Sequence, residues 1–290
     1  MSKAASELVL NADGSVYHCN IRPEHLADTI ITVGDPNRVE KVSRHFDTIE
    51  HTASKREIVT HTGTLNGKRL TVISTGMGTD NIDIVLSELD ALANIDLETG
   101  EIKKDFRKLS FVRMGTSGAL QADIPVDSFV IGSHGLGLDG LLHYYVGSEA
   151  VMNKEVEDAF IKHVDWSPNK ARPYLVKGSD LLLDKLASEK TIQGVTATAC
   201  GFYGPQGRYL RLQPNPADIN ERLTTFNYDG LRISNFEMET SAIYGLSAMM
   251  GHEALSINAI VANRILGEFS ADSYKAVDAM IEYSLEKLTK

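Results

Sequence analysis

Two features of this 290-residue chain predict an α/β fold around a substantially parallel or mixed central sheet. Apolar, β-branched runs recur along its length, and amphipathic stretches with helical spacing lie between them. No linker, internal repeat or low-complexity tract breaks the alternation, which predicts one domain over 1–290.

The elements follow in chain order. "DTIITVG" (28–34) reads as a strand. A helix should start directly after it: Asp35 can cap, Pro36 suits the first position and Arg38 falls in the first turn. "RLTVIST" (69–75) is a second strand, and Asp80 is a candidate cap for the helix that carries Ile82, Val85, Leu86, Leu89 and Leu92 on one face. The charged stretch 94–108 reads as a surface connector. "LSFVRMG" (109–115), "DSFVIGS" (127–133) and "GVTATA" (194–199) read as strands, the first running into a glycine turn at 115–118. "GLGLDG" (135–140) matches a dinucleotide fingerprint, but "LLHYY" after it lacks a helix cap, so no dinucleotide site is expected. The polar 212–223 is a second surface excursion, and "ALSINAIVAN" (254–263) is the last core strand. Val277, Ile281, Leu285 and Leu288 place a closing helix from about Ser273.

Composition excludes several classes. Hydrophobic residues at 42% and charged residues at 23% suit a soluble globular chain. No segment has the length of a membrane span or the core of a signal peptide. Cys19 and Cys200 are too few for a disulfide framework and are not spaced for zinc, so a cytoplasmic protein without a metal is expected. The nine histidines show no metalloprotease spacing, and His143 and His163 read as surface or core residues. A formal charge of −10 opposes attraction to nucleic acid or anionic membranes, so any bound anion must be gathered by local arginines.

Two corners suit an anion. After the first strand, Gly34 permits close backbone approach and Arg38 adds charge, although a well-capped helix alone would explain the same residues. In "FVRMGTSGAL", Arg113 lies in an apolar run and needs a partner, while Thr116 and Ser117 offer hydroxyl donors. That partner is an oxyanion, or an acid of "NFEMETSAIY", where Glu237 and Glu239 stand two apart in an apolar setting. Arg56 by itself reads as a solvated strand-edge charge.

"VGDPNRV", "STGMGTDN", "VRMGTSGAL", "GFYGPQGR" and "NFEMETSAIY", in this order, resemble the nucleoside phosphorylase superfamily and its uridine phosphorylase branch. The likeness runs from about His18 to Arg264. It implies a three-layer α/β/α sandwich with a mixed, partly barrel-like sheet. It also implies assembly as homodimers, or as hexamers of dimers, with the active site shared between subunits. The reaction implied is reversible phosphorolysis of a nucleoside, with inorganic phosphate as co-substrate and no resident cofactor. On that likeness Gly34, Arg38, Arg113 and Thr116 hold phosphate, and Arg56 reaches in from the neighbouring subunit. Glu239 and the Met238 backbone take the ribose with Glu237 in support, and His18 meets the 5′-hydroxyl across the subunit interface. Phe202 stacks on the base, while Gln206 and Arg208 hold the uracil edge. Arg113, Arg208 and Glu239 are the expected catalytic residues.

The purine branch carries an acid just after the last core strand, where this chain reads "AIVANR" with no Asp before Arg264, so a pyrimidine substrate is expected. A purine phosphorylase, a water-using nucleosidase and a non-catalytic nucleoside sensor are the rival readings. A monovalent cation site, known in some relatives, would draw on Glu57, with Met77 and Asn81 at its matching positions.

Overall fold

The computed structural model describes residue 4 and residues 6–290. In chain order its elements begin β1 (Thr29–Val33), α1 (Pro36–Ser43), β2 (Thr48–Lys55), β3 (Ile58–Leu65), β4 (Lys68–Ser74) and α2 (Thr79–Asn94). Next come β5 (Ser110–Ala119), β6 (Phe129–Gly137), α3 (Lys154–Val164), β7 (Tyr174–Lys177), α4 (Asp180–Leu186) and β8 (Thr191–Thr198). The last part holds α5 (Ile219–Thr225), β9 (Asn227–Tyr228), β10 (Leu231–Glu237), α6 (Thr240–Met250), β11 (Glu253–Asn263), β12 (Glu268–Phe269) and α7 (Ser273–Thr289).

One mixed sheet runs β12-β11-β6-β8-β10-β5-β1-β4-β3-β2. A further pairing of β11 with β5 closes β11, β6, β8, β10 and β5 into a ring, so the sheet is partly barrel-like. β5 makes this possible by serving three neighbours: parallel β1 at 110–113, parallel β11 along its length and antiparallel β10 at 118–119. Four successive residues of β1 are buried, as a strand covered on both faces requires. Helix α6 packs on α2, β6 and β11, while α7 packs on α1, α4, β5 and β11, giving the layered α/β/α arrangement. Ile82, Val85, Leu86, Leu89 and Leu92 are all fully buried on α2, as their spacing predicts.

Three local expectations need correction, and strands β2 and β3 were not anticipated. Asp80 does not cap α2; the cap position is Gly78, at φ 99°, and Asp80 sits in the first turn. Residues 115–118 form no turn, because pairing with β11 carries β5 straight on to Ala119. The stretch 212–223 is not wholly irregular, since α5 begins at Ile219 and buries Ile219 and Leu223. Strands β2 and β3 escape the apolar-run criterion because β2 is exposed or half-exposed throughout and β3 carries Thr60 and Thr62 at buried positions where an apolar residue would be expected.

The start of α1 is as expected, with the Asp35 side chain accepting a hydrogen bond from the Asn37 N–H and Pro36 in the first turn. Asp35→Ala should lower stability by about 1 kcal/mol, the usual value of such a cap. Urea unfolding checks this, and an unchanged midpoint would show the cap to be idle.

Candidate active site

A cavity of about 530 Å³ opens where β1, β4, β5 and β10 end, the edge at which open α/β sheets place ligands. Gly34 enters from the end of β1, and Arg38 from the first turn of α1. Gly76 and Met77 come from the loop after β4, and Arg113, Thr116, Ser117 and Gly118 from β5. Glu237, Met238 and Glu239 form the junction between β10 and α6. All the residues expected to form the site, except His18 and Arg56, line this one cavity.

Its floor is an arginine between two acids. Arg113, Glu237 and Glu239 are 6%, 5% and 5% exposed, so each charge must be matched inside the protein. The Arg113 Nη2 lies 2.5 Å from Glu239 Oε2 and 3.3 Å from Glu237 Oε2, and its Nη1 donates to Asn258 Oδ1 at 2.7 Å. Burial works against the Arg113 cation, yet Glu237 and Glu239 together hold its pKa above the ordinary arginine value. Arg38 donates to the Met114 carbonyl at 3.2 Å, and burial first and Arg113 second push its pKa down. An anion placed between the two guanidinium groups would relieve both effects.

The two glutamates differ in what surrounds them. β10 ends at Glu237 and α6 starts at Thr240, so the pair does not share a strand face; the chain turns between them. Glu237 accepts the Thr198 hydroxyl and the N–H groups of Glu239 and Thr240, which ties its carboxylate to the first turn of α6. Burial raises its pKa, Arg113 opposes that rise and Glu239 adds to it. Glu239 has fewer commitments: Oε1 accepts the Gly78 N–H at 2.8 Å and Oε2 takes Arg113. It therefore keeps lone pairs for a ligand.

The 202–208 loop adds Phe202, Gln206 and Arg208 to the lining. Arg208 lies 3.7 Å above the Phe202 ring and donates from Nη1 to Phe202 O and Gln206 Oε1, both at 2.6 Å. Burial, with Arg264 nearby, brings the Arg208 pKa down to about 10, so the group stays cationic at neutral pH while short of a counter-charge. Arg264, which sequence reasoning used only as a landmark, donates to the Gln206 carbonyl at 3.0 Å and braces this loop. Val261 and Ala262 line the cavity beside it, and the Asn263 amide N–H is turned away to the Gln121 and Ile124 carbonyls. No acid stands in that stretch.

His18 and Arg56 lie elsewhere on the chain. Arg56 occupies the tight turn between β2 and β3 at φ 54°. His18 is held by Glu88 of α2, which accepts its backbone N–H and lies 2.6 Å from its Nδ1. Glu57 and Met77 line the cavity, and Asn81 directs its amide N–H to the Met77 carbonyl. Of those three Glu57 offers an anionic oxygen, and Met77 and Asn81 only neutral carbonyl and amide oxygens. A second cavity of about 390 Å³ is bounded by Trp166, Lys170, Cys200 and Pro205. It contains no arginine, and the Lys170 ammonium is committed to the Asn215 carbonyl. Sequence reasoning missed Asn258 and Thr198, whose signal was a polar side chain inside an apolar strand.

The model of the phosphorylase superfamily matches residues 28–289. A uridine phosphorylase of Thermococcus kodakarensis is 30% identical over an alignment covering 95% of this chain and 90% of its own. A DeoD-type purine nucleoside phosphorylase of Oceanobacillus iheyensis is 24% identical, with 94% and 99% covered. Among solved structures, a Trypanosoma brucei nucleoside phosphorylase described as showing uridine phosphorylase activity superposes with a TM-score of 0.87 at 31% identity, covering 97% of this chain and 99% of that one. No helix among the described residues is long and apolar enough to cross a membrane.

Proposed function

The chain belongs to the phosphorylase superfamily, and on that premise we propose that it is a uridine phosphorylase, a pentosyltransferase that converts uridine and phosphate reversibly to uracil and ribose 1-phosphate. The observation that carries this reading is the shared cavity: guanidinium groups, a ribose-suited carboxylate, and Gln206 with Arg208 all line it.

Cleaving an N-glycosidic bond leaves positive charge on the ribose ring and negative charge on the departing base. Phosphate held by Arg38, Arg113, the Gly34 N–H and Thr116 serves as nucleophile and as counter-charge beneath the ring, so its attack is effectively intramolecular. Glu239 accepts the 2′- and 3′-hydroxyls beside the Met238 backbone, with Glu237 holding the junction in place. Phe202 stacks on the base. Gln206 and Arg208 receive the developing uracil anion, and for Arg208 that anion is the counter-charge it lacks. Phosphate approaches opposite the base, so C1′ inverts. The reaction needs no cofactor.

Local charge supports a shared site. Within one chain Arg113 is already committed to Glu237 and Glu239, and Asp35 and Glu57 also line the cavity, so Arg38 and Arg113 leave little surplus positive charge for a dianion. Arg56 of a second copy would supply it, and His18 of that copy would meet the 5′-hydroxyl; a homodimer, or a hexamer of such dimers, follows. A cytoplasmic role in nucleoside salvage fits this chemistry.

The pyrimidine reading is favoured over the purine one by Val261 and Ala262, which offer no proton to a purine N7. Incubation with uridine, thymidine and inosine, with and without phosphate, tests it by ultraviolet absorbance. Uracil released only with phosphate is expected. Release without phosphate would indicate a nucleosidase, preference for inosine a purine enzyme, and no release a sensor. Arg208→Ala should lower kcat/KM for uridine about 10- to 100-fold, chiefly through kcat, the range for a lost charge-assisted hydrogen bond, and should spare phosphate binding. An equal loss for inosine, if inosine is cleaved at all, would remove Arg208 from base recognition.

A further inference from the structure

We propose that Asn258 is a positioning residue for phosphate: it fixes the Arg113 guanidinium in place without adding negative charge to it. This rests on reading Arg113 as a phosphate ligand. Asn258 is fully buried on β11, and the β11–β5 register sets it opposite Gly115. A Cβ at Gly115 would stand 1.6 Å from Arg113 Nη1 and 2.4 Å from its Cζ, so the guanidinium lies across bare glycine backbone to reach the Asn258 oxygen.

The amide has one orientation. Its Nδ2 donates to Ser256 Oγ at 3.0 Å, and that oxygen also accepts the Thr240 hydroxyl at 3.0 Å. The Ser256 N–H in turn donates to the Tyr244 hydroxyl, which donates to the Gly132 carbonyl. With its nitrogen so engaged, Asn258 presents oxygen to Arg113, and no rotation of the amide keeps both contacts.

Electrostatics explains why the acceptor is neutral. Arg113 already faces Glu237 and Glu239, and a third carboxylate would surround it with anions and repel the phosphate it is to hold. An apolar residue would leave a buried N–H of a cation without a partner. An uncharged oxygen is the remaining choice.

The test uses Asn258→Asp and Asn258→Ala in the full-length protein, titrated calorimetrically with inorganic phosphate alone and assayed with uridine. Asn258→Asp should weaken phosphate binding about 10- to 100-fold, the scale of one charge-assisted contact. Relative to wild type the loss should grow as pH rises and the new carboxyl ionises, with the KM for uridine little changed. Asn258→Ala should weaken phosphate binding with no added pH dependence, and it carries the test if the aspartate variant does not fold. A merely structural role would lower stability and move both substrates together. Variants that bind phosphate as well as wild type overturn this assignment alone; wild-type protein that binds no phosphate overturns the reading of the pocket and this assignment with it.

Discussion

Arg113→Ala is expected to reduce kcat/KM for uridine about 100- to 1,000-fold, the cost of removing one preorganised cationic donor from a reacting centre. Arg113 is the innermost of the guanidinium groups and the one that touches both acids. Its removal would also leave Glu237 and Glu239 facing each other in a buried site without a counter-charge, which costs about 3–5 kcal/mol of stability. Circular dichroism and urea unfolding should therefore accompany the kinetics. Arg113→Lys separates the two effects, since it keeps a charge near the acids while losing the planar fork that spans Asn258 and Glu239. The lysine variant should fold and still bind phosphate weakly. An alanine variant that folds and keeps wild-type phosphate affinity would refute the phosphate role.

The second large effect should come from Glu239→Gln. The substitution keeps size and an oxygen toward Gly78 but removes the charge that the ribose hydroxyls would meet. A loss of about 10- to 100-fold in kcat/KM for uridine is expected, the scale of a hydrogen bond to a charged group. The loss should be smaller for 2′-deoxyuridine and smallest for 2′,3′-dideoxyuridine, because those substrates lack the hydroxyls concerned. Equal losses across the three would mean that Glu239 acts only as a brace between Arg113 and the Gly78 N–H. Thermal stability should change less than in Arg113→Ala, since Glu237 alone can still neutralise the arginine.

Much of this site is legible along the chain because local chemistry writes it there. The Asp35 cap and Pro36 place Arg38 in the first turn of α1 through contacts a few residues apart. The 202–208 loop closes on itself, with Arg208 reaching Phe202 and Gln206 only six and two residues away. Other parts misled. Gly115 and Gly118 looked like turn residues, yet they serve close packing: one leaves room for the Arg113 guanidinium, and a Cβ on the other would stand 3.2 Å from the Arg264 Cγ. Asp80 looked like a cap, yet Glu239, 161 residues beyond Gly78, supplies the carboxylate that the Gly78 N–H uses at the start of α2.

Residue types and short spacings determined by themselves that the protein is α/β, that it has a capped arginine corner after its first strand, and that two glutamates stand two apart in an apolar setting. Only tertiary structure decided which of those charges meet. Arg113 finds Glu239 126 residues away and Asn258 145 residues away because β5 runs between β1, β10 and β11 and brings their ends to one edge. Hydrogen-bonded partners at such separations are set by strand order and register, which depend on burying the whole sheet at once, so no local stretch of sequence encodes them.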